Sequence, residues 1–71
     1  MKYSELARRL QELGCQEVAR RSRGSHRKWR NPATGQSVPI PDWGRKDLKP
    51  GTVRAIIRQL GLSRDEFGPI K

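Results

Sequence analysis

The stretch Ser25-His26-Arg27-Lys28-Trp29-Arg30-Asn31-Pro32-Ala33-Thr34-Gly35-Gln36-Ser37-Val38-Pro39-Ile40 decides the fold. Residues 25–31 alternate, Asn31-Pro32-Ala33-Thr34-Gly35 is rich in turn formers, and residues 36–40 alternate again, which is the pattern of two strands joined by a turn. Trp29 is in phase with the apolar strand positions and is expected in the core. His26, Lys28 and Arg30 then point to the opposite face, because side chains alternate across a sheet. Val38 and Ile40 bury one side of the later strand, while Pro39 and Pro41 lack backbone donors and so suggest an edge or the end of pairing.

Working outward, the polar stretch that holds Val18 and Ala19, punctuated by Gly24, supplies a further strand, and residues 16–40 read as a three-stranded meander. Before it, Leu6, Leu10 and Leu13 recur at helical spacing, Tyr3 and Ala7 extend the stripe, Ser4 is placed as an N-cap and Gly14 ends the helix. After it comes a charged loop carrying Trp43, Gly44, Arg45, Lys46 and Lys49. Pro50 suits the first turn of a second helix, whose Val53, Ile56, Ile57 and Leu60 form an i, i+3, i+4, i+7 stripe closed by Gly61, with Arg54 and Arg58 on the outer side. Ser63 and Glu66 have the spacing of a capping box for a short last helix, from which Phe67 can fold back onto the core. This order predicts a two-layer α+β domain with both longer helices on one face of a three-stranded antiparallel sheet.

The chain has 71 residues, enough for one compact domain with a thin core, and self-association would help so small a fold. Sixteen Lys and Arg stand against seven Asp and Glu, a formal charge of +9 that favours a polyanionic partner, nucleic acid first. Charge alone separates neither DNA from RNA nor binding from cleavage. The single cysteine, Cys15, cannot form an internal disulfide, and no Cys/His cluster offers a metal site, so a reducing compartment is the simplest inference. No signal-peptide or bilayer-length apolar run is present, and a soluble cytoplasmic protein with no membrane contact is expected.

A group able to move a proton near neutral pH suits phosphodiester cleavage, and an unperturbed histidine, with a pKa of about 6.5, is such a group. His26 is the one histidine. It follows Gly24-Ser25, and Arg27 and Lys28 come next, where they could hold a phosphate; the plainer reading is an incidental exposed histidine on a strand. Paired carboxylates, a nucleophile elbow, a P-loop and an H-E-x-x-H pair are all missing from the sequence. In RNA the 2′-hydroxyl is an internal nucleophile, so one histidine with nearby cations could suffice without metal or cofactor, whereas DNA would usually demand a metal. Arg20, Arg21, Arg23, Arg27, Lys28 and Arg30 cluster around the Gly24 turn, either as a phosphate surface or as a solvated hairpin protected from edge aggregation. Trp43 has no periodic partner, and base stacking, contact with a protein and partial burial all remain open for it.

Gly24-Ser25-His26 opening a strand, the later Pro41, and the run from Gly51 to Ser63 (Gly51-Thr52-Val53-Arg54-Ala55-Ile56-Ile57-Arg58-Gln59-Leu60-Gly61-Leu62-Ser63) together resemble the HicA (YcfA-like) mRNA interferase family, over nearly the whole chain. The resemblance implies one HicA-like domain over residues 1–71 with a double-stranded-RNA-binding-domain-like fold. It also implies a toxin that cleaves messenger RNA and a HicB-type antitoxin that covers the active site. His26 matches the family's catalytic histidine, and Gly24 and Ser25 match the residues that present it. Many members carry a second histidine where this chain has Trp43, so any role of that histidine is not carried over. Gly24, Ser25, Arg21, Arg23, Arg27, Lys28, Arg30, Trp43, Arg45 and Lys46 are thus the expected RNA-binding residues around His26. A non-catalytic RNA-binding module of the same fold is the alternative. A small DNA-binding or antitoxin-like protein is a third reading, for which no helix-turn-helix pattern is found.

Overall fold

A computed structural model of the chain describes residues 1–18, 26–42 and 44–70. The elements run α1 (Tyr3–Glu12), β1 (Gln16–Glu17), β2 (His26–Asn31), β3 (Gln36–Pro41), α2 (Pro50–Gln59) and α3 (Arg64–Phe67). The three strands form one antiparallel sheet in the order β1-β2-β3, and the α+β layout expected from the sequence is the one observed.

The hairpin forms where its turn chemistry allows. The Asn31 carbonyl accepts from the Thr34 and Gly35 amides at 3.2 and 2.8 Å, and Gly35, at φ +75°, reverses the chain without the steric cost a side chain would bring. Pairing then runs from Asn31↔Gln36 to His26↔Pro41. The Val18 amide donates to the Lys28 carbonyl at 2.8 Å, so the backbone of Lys28 faces β1 rather than β3. Its partner across β3, Pro39, accordingly turns its nitrogen outward, and an edge strand can carry proline there at no cost in ladder hydrogen bonds.

Trp29 is 1 % exposed and forms one core with Leu6 and Leu10 of α1, Val38 and Ile40 of β3, and Val53, Ile56 and Ile57 of α2, joined by Leu48, Leu60 and Phe67. Burying each such aliphatic or aromatic side chain contributes about 1.5–3 kcal/mol, and this term drives both helices onto the same sheet face. Cys15 is a small buried side chain of that core, and burial pushes its thiol pKa up. The Trp29 indole is satisfied by donating to the Tyr3 hydroxyl at 2.9 Å.

Asn31, 4 % exposed, is the one polar residue buried among the described residues. Its Nδ2 donates to the Leu60 carbonyl at 2.7 Å and its Oδ1 accepts from the Ala33 amide at 3.1 Å, which ties the hairpin turn to the end of α2. Gly61 follows at φ +74°, and a Cβ there would meet Thr34 Cγ2 at 2.7 Å, so the helix end and the turn touch only because this residue has no side chain. The capping box of α3 is present in both directions, with Ser63 and Glu66 exchanging bonds of 3.1 Å. Arg9 donates to the Pro69 carbonyl and lies 5.2 Å from the centre of the Phe67 ring, which fastens the last segment to α1.

Two details differ from expectation. Helix α1 starts at Tyr3 with Lys2 as its N-cap and no side-chain cap, so Ser4 lies inside the first turn. Lys2 is held there by a β-bridge to Asp47, a tertiary contact that sets the helix start in place of a capping hydroxyl. Strand β1 is only two residues long, and Ala19 lies outside the described residues.

Candidate active site

His26 is the first residue of β2 and is exposed. Lys28 and Arg30 share its face and are also exposed, while Trp29 and Asn31 are buried on the other side. The face opposite the helices is completed by exposed Gln16 on β1 and by exposed Ser37, exposed Pro39 and half-buried Pro41 on β3, which lie across from Arg30, Arg30, Lys28 and His26 respectively. It is therefore an open surface with an imidazole at one end and two cations in line with it. Two concavities among the described residues lie away from it: one is lined by Met1, Lys2, Ser4, Asp47 and Lys49, another by Gly51, Arg54, Arg58, Leu62 and Arg64.

Arg27 does not join His26. The alternation that exposes His26 carries Arg27 to the helix side, where its Nε donates to Asp42 at 2.8 Å and its Nη1 to Glu17 at 3.1 Å, with the guanidinium 5.7 Å from the centre of the Tyr3 ring. The hydrogen bonds to Asp42, then Glu17, push the Arg27 pKa up. Tyr3 is also shifted up, by burial first and against the lowering effect of the Trp29 hydrogen bond. The Arg27 guanidinium thus joins β1, the start of β2 and the end of β3 from behind His26, and its donors already point at carboxylates rather than toward the face where His26 stands.

Asp42 has a second task, since its Oδ1 accepts from the Gly44 amide at 3.2 Å and so shapes the loop that leaves β3 beside His26. Arg45 and Lys46 are exposed on that loop. The sequence reading missed this clamp and the anchoring role of Asn31. An Asp-x-Gly turn signal at residues 42–44 was present, but the partners of Arg27 come from three segments that only the fold brings together. Arg20, Arg21, Arg23, Gly24, Ser25 and Trp43, all expected near the site, lie outside the described residues. Among the described residues no group of three or more His, Cys, Asp or Glu could hold a metal ion, and no helix is long and apolar enough to cross a membrane.

Comparison with known proteins bears on what this surface is for. The family model described as the HicA toxin of bacterial toxin–antitoxin systems matches residues 3–62. The chain belongs to the HicA toxin family. It is also 37 % identical over 62 residues to a probable mRNA interferase HicA of Pseudomonas fluorescens (strain Pf0-1), a match that covers 87 % of this chain and 97 % of that relative. No solved structure matches it. As a HicA toxin the chain is one half of a toxin–antitoxin system, and both α1 and α2, together with the whole sheet, fall inside the matched region.

Proposed function

We propose that this HicA chain is a metal-independent endoribonuclease that cleaves messenger RNA with His26 as its catalytic residue, and that a HicB-type antitoxin restrains it by covering the same face. The observation that carries the reading is the placement of the single histidine, exposed at the end of an open face whose next side chains along the strand are Lys28 and Arg30. The mRNA interferase name of the Pseudomonas relative points the same way.

The chemistry follows from RNA itself. The ribose 2′-oxygen attacks the adjacent phosphorus, the bond from phosphorus to the 5′-oxygen breaks, and the products are a 2′,3′-cyclic phosphate and a 5′-hydroxyl. One proton leaves the 2′-hydroxyl and one is gained by the 5′-oxygen. His26 makes one of these transfers and water the other, while Lys28 and Arg30 hold the phosphate and offset its growing charge. Gly24 and Ser25 would present the imidazole, and Trp43, Arg45 and Lys46, with Arg21 and Arg23, would extend the RNA contact. Arg27 acts from behind as a strand clamp.

The test is cleavage of a defined RNA by the purified protein and its His26→Ala variant, with chelator present. Because the side chain is exposed, the variant should fold and melt as the parent does. Loss of all cleavage by a folded variant, with cyclic-phosphate ends in the parent reaction, is the expected result. Undiminished cleavage by the variant rejects His26; binding without product from either protein leaves an RNA-binding module.

A further inference from the structure

Every acidic side chain of the protein is placed away from the open face. Glu5 and Glu12 lie on α1, Glu17 and Asp42 bind Arg27 on the helix side, Asp47 faces the terminal ammonium at 3.6 Å, and Asp65 and Glu66 belong to α3. Nothing acidic among the described residues competes for Lys28 or Arg30, whose side chains make no ion pair there. The neighbours that flank this row, Gln16, Val18, Ser37, Pro39 and Pro41, are uncharged. Among the described residues of the sheet face the charge is therefore a single line on the middle strand.

Residues two apart on a strand are about 7 Å from each other, on the order of one backbone step of an extended nucleotide chain. We propose that the open face takes one unpaired RNA strand laid along β2, with successive phosphates at His26, Lys28 and Arg30. This path rests on the nuclease reading for the identity of its polyanion. Two arguments favour an unpaired strand over a duplex. A duplex presents two phosphate rows across its minor groove, and the described strands of the face offer one row of cations. In-line attack also needs the 2′-oxygen, the phosphorus and the leaving 5′-oxygen collinear, an arrangement that a stacked A-form helix resists and a free strand can adopt.

The experiment uses fluorescein-labelled, fully 2′-O-methylated RNA, which cannot be cleaved, as a single strand and as a hairpin duplex of the same composition, with binding read by anisotropy across a salt series. Tighter binding of the single strand is expected, and Lys28→Gln and Arg30→Gln should each flatten the slope of log affinity against log salt by about 0.7, the value for one phosphate on a single strand. As the strand is shortened stepwise from the end that runs toward Arg30, the effect of Arg30→Gln should vanish one nucleotide before that of Lys28→Gln. Equal or tighter duplex binding, or slopes unmoved by both substitutions, overturns the path. Unmodified RNA is assayed for cleavage in parallel: a parent that binds as described but cuts nothing upholds the path and sinks the nuclease reading, whereas a parent that cuts while both slopes stay fixed sinks the path alone.

Discussion

Replacing Asn31 with Ala tests whether the hairpin is anchored to α2 as described. The substitution removes the bond from Nδ2 to the Leu60 carbonyl, 2.7 Å, and the bond from the Ala33 amide to Oδ1, 3.1 Å, at a residue only 4 % exposed. Each is worth about 1 kcal/mol net, giving a loss of ~2 kcal/mol. The Leu60 carbonyl keeps the Thr34 hydroxyl at 3.3 Å and Ala33 is exposed, so neither group is left wholly unpaired and the loss should not greatly exceed that sum. A domain of 71 residues has a total stability of roughly 4–10 kcal/mol, so the change is a large share of it. At about 4–8 °C per kcal/mol for this size, Tm measured by circular dichroism should fall by ~8–16 °C. Asn31→Asp sharpens the test. It keeps an acceptor for Ala33 but sets a carboxylate against the Leu60 carbonyl, so at neutral pH it should be at least as unstable as Asn31→Ala. Burial raises the folded pKa of that carboxyl above its usual value of about 3.9, so the penalty is full above the folded pKa and shrinks as pH falls toward the unfolded one. A Tm drop under about 4 °C for Asn31→Ala, or an Asp variant more stable than the Ala variant at pH 7, would refute the argument.

Arg27→Gln should lower Tm while leaving the salt slope of RNA binding unchanged, since the guanidinium is committed to Asp42 and Glu17; a slope flattened by about 0.7 would instead make it a phosphate ligand. Gly61→Ala, which demands a left-handed backbone at φ +74° and a contact of 2.7 Å with Thr34, should cost about 1–3 kcal/mol in urea denaturation, and Thr34→Ser in the same chain should recover part of it. The raised thiol pKa of Cys15 makes a contribution to stability that is full below the ordinary thiol pKa of about 8.5 and is lost as pH rises from there through the folded value. Chemical denaturation at several alkaline pH values should show a shallower decline for Cys15→Ala; parallel curves would discount the thiol.

Periodicity made most of this fold legible. The phase of Trp29 against Val38 and Ile40 assigned the two faces of the sheet, and with them the exposure of His26; the stripe of α2 and the capping box at Ser63 and Glu66 needed no more than spacing. The features that escaped are those whose partners lie far along the chain. Arg27 looks like one of a run of cations until Glu17 and Asp42 are brought to it, 10 and 15 residues away. Asn31 reads as a turn residue, and its hold on Leu60 spans 29 positions. Strand β1, two polar residues long, carries no alternation to detect and exists because β2 offers it a register. The N-cap was misplaced because a distant bridge to Asp47, rather than the nearest hydroxyl, fixes where α1 begins.

The outward-turned nitrogens of Pro39 and Pro41 constrain how other proteins can meet this one. Of the residues on β3 whose main chain looks away from β2, Ser37 alone retains a donor, so a further strand cannot zip onto that border and prolong the sheet. An antitoxin, or a second copy of the toxin, that meets this border must then grip it through side chains and surface shape, and its specificity there is open to change by point substitution.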